Sequence, residues 1–156
     1  MLADLQDYTA TVDPIWQWLV IMAAAAVPFI ESYFAAPIGI LAGASPLVAI
    51  PAAILGNVIS MVLVVLLAGR VRGAAGAHEQ QLSPRRERFK RRFDAWGVPG
   101  VSLLGQTLLP SQITSGLMVG FGASRQRVIL WQIVSITLWG LGFGLLGLGF
   151  VAAVVG

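Results

Sequence analysis

Four long apolar stretches organise this chain, running from Ile15 to about Gly43, from Leu47 to Gly69, from Val98 to Gly122 and from Val128 to Gly156. Crossing an apolar core of about 30 Å takes roughly 20 helical residues, and each of the four has that length. The first and third differ from the others in carrying proline near their middle: Pro28 and Pro37 in the first, Pro110 in the third. Proline removes a backbone donor and breaks a helix, so the pattern predicts hairpin tips at these three residues and uninterrupted spans in the second and fourth stretches.

The charges between the stretches sharpen this picture. Arg70, Arg72, Arg85, Arg86, Arg88, Lys90, Arg91 and Arg92 occupy a central segment, Arg125 and Arg127 form a second cluster, and the N-terminal tail carries only the acids Asp4, Asp7 and Asp13. Basic residues favour the cytoplasmic side, which predicts a multi-pass bacterial inner-membrane protein with a cytoplasmic central loop and its N-terminus outside. Four straight spans would put Arg70 and Arg125 on opposite faces. Re-entrant hairpins that enter and leave on one side keep both clusters cytoplasmic. A hairpin arm of about 14 helical residues reaches roughly 21 Å, so tips entering from opposite faces meet near the midplane. A tail without Lys or Arg also lacks the basic region of a cleaved signal, and the first apolar stretch is expected to be retained.

The order of parts repeats. Pro28, a charged residue and small residues lead to Gly43-Ala44-Ser45 and a long span; Pro110, Ser111, Gln112 and small residues lead to Gly122-Ala123-Ser124 and another. With the two halves oppositely oriented, this is the inverted-repeat plan of many transporters. The expected fold is thus an all-α integral membrane protein, one domain over 1–156, built as an inverted repeat of a re-entrant helical hairpin plus a transmembrane helix. Residues 1–69 form the first half, 70–97 a basic cytoplasmic loop with an amphipathic helix, and 98–156 the second half.

Composition agrees. The 156 residues are 57% hydrophobic and 11% charged, against about 25% charged in soluble domains, and the mean hydropathy is +0.83. The chain has no cysteine, which excludes disulfides, thiolate metal sites and cysteine nucleophiles. Its single histidine, His78, sits in a polar loop with no second ligand nearby, so neither a metal nor another cofactor is expected.

Chemistry concentrates on Glu31, the one ionisable residue deep inside an apolar stretch. A carboxylate at mid-membrane costs roughly 2.5–3.5 kcal/mol and is usually retained for a role. Apolar surroundings favour the neutral form of a carboxyl, and an acid so poised exchanges a proton for a cationic substrate or binds one in step with a conformational change. A protonated acid that merely pins the hairpin tip is the structural alternative. With no second carboxylate or histidine nearby, hydrolysis by paired acids or a metal is not expected, and the chain does not read as an enzyme. Asn57 follows Gly56 inside the second stretch and serves either a polar cavity or helix packing. Gln106, Thr107, Ser111, Gln112, Thr114 and Ser115 crowd around Pro110, a density suited to a broken backbone lining a cavity. Gln112, Thr114 and Asn57 are the expected polar lining of a pathway.

Residues 82–100 form a basic amphipathic element in which Phe89, Phe93, Trp96 and Gly100 recur at helical spacing. Around them Arg85, Arg86, Arg88, Lys90, Arg91 and Arg92 are expected to contact anionic lipid headgroups, at about 1 kcal/mol each. A basic run so short and tethered is not expected to bind nucleic acid. In the last stretch Gly140 and Gly144 stand four apart, a spacing that allows close helix contact within the chain or across a dimer. A homodimer is expected, because two full spans offer little wall for a pathway.

The run Pro28-Phe29-Ile30-Glu31 followed by Pro37-Ile38-Gly39, with Gly56-Asn57 and Trp96-Gly97 leading to Pro110, resembles the small multidrug export protein family over roughly residues 20–145. That family looks related to the DedA-like (SNARE-associated Golgi protein) superfamily. The resemblance implies two opposed re-entrant hairpins, Glu31 as the acid of the first, and proton-linked transport or translocation of lipid carriers such as undecaprenyl phosphate. Ser32 and Tyr33 stand where the family has a basic residue, and Leu109-Pro110-Ser111-Gln112-Ile113-Thr114 lacks the arginine of the superfamily's second hairpin. An anionic phosphate at the centre would want that cation. The expected function is therefore proton-coupled export of an amphiphilic or cationic small molecule through Glu31, ahead of a DedA-type lipid translocase and of a non-transporting membrane scaffold.

Overall fold

A computed structural model describes residues 11–75, 83–106 and 108–155. The loop around His78, the acids Asp4 and Asp7, Leu82 and Thr107 lie outside the described residues, as does the side chain of Arg72. Among the described residues the chain is all-helical, with α1 Pro14–Ala25, α2 Glu31–Leu41, α3 Pro46–Ala75, α4 Pro84–Gly105, α5 Ser111–Gly120 and α6 Arg125–Val155. Contacts divide it into two units, one holding residues up to Ser60 together with those from Ile136 onward, the other Met61–Ser135. The division cuts through α3 and α6, each of which contributes to both units.

In the first unit α1 opens on Asp13, whose side chain accepts a hydrogen bond from the Ile15 N–H at 2.9 Å, with Pro14 at the first helical position. The helix stops at a break over residues 26–30 that contains Pro28, and α2 returns to pack on α1. Small buried side chains fill the space between them and α3: Ala25, Ala35, Ala36, Ala49, Ala52 and Ala53. Small residues let backbones approach, which is how apolar helices gain packing where lipid is the solvent. The closest approach is at Gly56, where a Cβ would collide with the Met22 carbonyl. The second half of α6 runs antiparallel to the first half of α3, with Gly140 on Ile54 and Ser32, and Gly144 on Ile50 and Ala36. The glycine spacing seen in the sequence thus serves contact within the chain.

In the second unit α4 is two helices joined at Gly97, whose φ of 64° and ψ of −171° no helix can contain. The basic arm before it is pinned by Phe89 and Phe93, both stacked on Phe121 with ring centroids 6.0 and 6.5 Å apart. The arm after it ends at Gly105, and Pro110 is the N-cap of α5. The end of α3 meets the start of α6 here, because the Arg125 side chain lies over Gly69.

The two Gly-Ala-Ser segments fold alike. Ala44 N–H donates to the Gly39 carbonyl and Gly43 N–H to that of Ile40, at 2.9 and 3.0 Å; Ala123 N–H donates to Met118 and Gly122 N–H to Val119 at the same 2.9 and 3.0 Å. Each is a Schellman cap, and it requires the left-handed φ of 101° at Gly43 and 106° at Gly122. Each serine carbonyl then opens the following long helix, Ser45 to Ala49 and Ser124 to Val128.

Two expectations meet corrections, and the alternative of four straight spans is not what forms. Pro37 is no hairpin tip: it lies inside α2, where proline's fixed φ is compatible with a helix at the cost of one N–H bond and of its ring against the preceding turn. Four straight spans are not formed either. The first and third stretches split into helices of 11 or 12 and of 10 residues beside their partner arms, and Gly69 against Arg125 brings both basic clusters to one end of the second unit. Finally, the amphipathic element is not one helix through Gly100 but breaks at Gly97. Two helices are long and apolar enough to cross a membrane, Pro46–Val71 and Arg125–Val154. Only 39% and 28% of their apolar windows are buried, unlike a soluble core helix, and Leu63, Leu67, Leu138 and Leu145 all point outward.

Candidate functional site

Glu31 is the first residue of α2 and is fully buried. Its φ is 50°, and Phe29 two residues earlier has φ 75°; among the described residues these are the non-glycine positions with positive φ. Left-handed backbone costs an L-residue about 1–2 kcal/mol, and such strain gathers where a site requires it. Here it turns Phe29 outward, 63% exposed, and the carboxyl inward. The N-terminus of α2, capped by no side chain, offers the positive end of a helix dipole to that carboxyl.

Ser32, next in the chain, and Asn57 are fully buried in the same unit. The Ser32 hydroxyl donates to the Ile136 carbonyl at 3.1 Å, and the Asn57 amide donates to the Ser32 oxygen at a long 3.5 Å. Tyr33, next in the chain after Ser32, meets Phe34 at a tilt and Phe143 edge-on, with ring centroids 4.7 and 5.9 Å apart, and Phe143 in turn meets Trp139 at 5.6 Å. Within the first unit α2 thereby buries a carboxyl and a hydroxyl, α3 an amide, and α6 the backbone carbonyl that accepts from the hydroxyl.

The second unit carries its own polar seam. Gln112 is buried, with its amide oxygen 3.5 Å from the Ser111 hydroxyl. Thr114 spends its hydroxyl on the backbone, donating to the Pro110 carbonyl at 2.9 Å, so it repairs the break before α5. Three members had drawn no attention in the sequence: Ser102, Gln132 and Ser135. Gln106 donates to the Gln132 amide oxygen at 3.4 Å, and Ser135 donates to the Ser102 carbonyl at 2.7 Å. Gln106 Oε1, Gln132 Nε2, Ser102 Oγ and Ser115 Oγ find no hydrogen-bond partner among the described residues. Unpaired buried polar groups cost on the order of 1–3 kcal/mol each in proteins, so the seam suits a hydrogen-bonding guest. The signal for it was a glutamine in an otherwise apolar helix with a serine three residues on.

The six cations of the basic arm are all exposed. Lys90 is taken by Asp94, Nζ to Oδ2 2.8 Å, while Arg88, Arg91 and Arg92 line an open groove with Trp96. The chain matches no family model, no curated protein and no solved structure.

Proposed function

We propose that this chain is a small integral membrane transporter of amphiphilic or cationic small molecules, coupled to protons through Glu31. The observation that carries the reading is a fully buried carboxyl on a strained helix break, in a chain with two helices able to cross a membrane. A protein does not retain both the desolvation of that acid and the backbone strain beside it without a use for them. One acid that gives up one proton as one monocation arrives keeps the net charge of the buried site constant, so neither step strands a charge in apolar surroundings. Ser32 and Asn57 are the buried polar groups of the same unit that accompany this carboxyl.

The same proposal takes the two broken stretches as re-entrant hairpins and the halves as an inverted repeat of the DedA-like kind, in a bacterial inner membrane with the N-terminus outside. Two equal Schellman turns support the repeat. A second copy completes the pathway wall. The exposed basic arm favours a lipid translocase as the second reading.

Reconstitution into liposomes separates them. An imposed proton gradient drives uptake of a lipophilic cation by the wild type, and Glu31→Gln reduces it to the rate of empty vesicles while the protein still folds. Headgroup-selective lipid flipping without cation movement would favour the translocase. Cation flux that Glu31→Gln leaves intact removes Glu31 from the mechanism.

A further inference from the structure

The break at Gly97 sets two cavities side by side. The first, about 370 Å3, is an open groove along one face of the basic arm, lined by Arg88, Arg91, Arg92, Ala95 and Trp96. The second, about 20 Å3, is a narrow apolar slot that shares Arg92 and Trp96 with the first and adds Phe89, Val101, Leu108 and Leu109. Its lining comes from both sides of the kink. Trp96 is held across the bend, since a Cβ on Gly100 would lie 2.6 Å from the Trp96 Cβ. Leu108, which lines the slot, and Leu104 on the same arm are both exposed and apolar.

We propose that this paired cavity is the seat of one resident anionic membrane lipid, distinct from any transported molecule. Three guanidinium groups on one helical face match a phosphate, because each presents planar paired donors to its oxygens. Trp96 sits at the junction, as an amphipathic ring does between headgroup and acyl chain. The slot is too small for a whole chain. It takes only the first carbons, and the rest of the tail runs along Leu104 and Leu108. The bound lipid ties the basic arm to the helix beyond Gly97 and so sets the angle of the kink. Of the six cations expected to meet headgroups, Arg88, Arg91 and Arg92 do so specifically. Lys90 is engaged by Asp94, and Arg85 and Arg86 line neither cavity.

This inference rests on the membrane reading, and the test keeps the two apart. The full chain is purified in a neutral detergent and titrated with phosphatidylglycerol, phosphatidylcholine or inorganic phosphate, and bound molecules are counted by native mass spectrometry. One phosphatidylglycerol is expected per chain, with neither of the other two retained. Arg88→Gln/Arg91→Gln/Arg92→Gln weakens it roughly 100-fold, at about 1 kcal/mol per arginine. Arg85→Gln/Arg86→Gln/Lys90→Gln, with the same loss of charge, changes it by less than about threefold, and Trp96→Ala weakens it with the charge intact. Equal losses in the two triple variants overturn the seat in favour of diffuse attraction. Inorganic phosphate that competes as well as the lipid overturns it in favour of a free-anion site. A wild-type chain that stays in solution without detergent overturns the membrane reading itself.

Discussion

At the scale of single residues, the buried polar contacts are where function and packing compete. Ser32 both donates to Ile136 and accepts from Asn57, so it links α2, α3 and α6 of the first unit. Hydrogen bonds between helices in apolar surroundings are worth about 0.6 kcal/mol on average and up to about 1.7. Asn57→Ala and Ser32→Ala are each expected to lower thermal stability by about 0.5–2 kcal/mol. The double variant should lose less than the two together, because both remove the same contact. A double-mutant cycle on the melting curves measures this, and strictly additive losses would mean that the 3.5 Å contact carries no energy. Proton-driven flux in the same variants sorts their role: flux that survives in folded Asn57→Ala makes Asn57 packing glue, while flux lost without loss of stability makes it part of the site.

Turns and breaks govern at the scale of elements. Gly43 and Gly122 hold the left-handed backbone of their Schellman caps, so alanine at either is expected to destabilise by about 1–2 kcal/mol. Gly142 lies in α6 with nothing within 4 Å of where its Cβ would be. Gly142→Ala should therefore be neutral or stabilising by about 0.5–1 kcal/mol, since it only relieves the flexibility of a helical glycine. Thermal unfolding of the three variants side by side checks the contrast. A Gly142→Ala protein as damaged as the other two would point to a surface covered by another chain. Gly56→Ala should be worse still, because its methyl meets backbone rather than a movable side chain.

For the molecule as a whole, the informative feature is which ends share a side. Gly69 against Arg125 puts the C-terminal end of α3 beside the N-terminal end of α6. Single cysteines at Arg70 and Arg125, introduced into a chain that has none of its own, are expected to react with an impermeant thiol reagent from the same face of the membrane. Labelling from opposite faces would break both this pairing and the re-entrant proposal.

Much of this was legible in the sequence, because it depends on local rules. Apolar length foretold the two long helices, proline foretold the breaks at Pro28 and Pro110, and a lone acid in an apolar stretch marked Glu31 for burial. The repeated Gly-Ala-Ser carried its turn with it, since a Schellman cap is decided within six residues. Other features were not legible. Proline is compatible with both a break and a helix, and packing on α6 through Gly147 accompanies its helical choice at Pro37. Which face the glycines of α6 would close on, and which polar groups would meet, depended on partners far away in the chain. Ser32 and Ile136 are 104 residues apart, and Ser102 and Ser135 are 33. By itself the sequence determined what had to be apolar, helical or broken. Only the tertiary structure decided which buried donors would find which acceptors, because hydrogen bonds need atoms within about 3 Å and no local pattern encodes that distance.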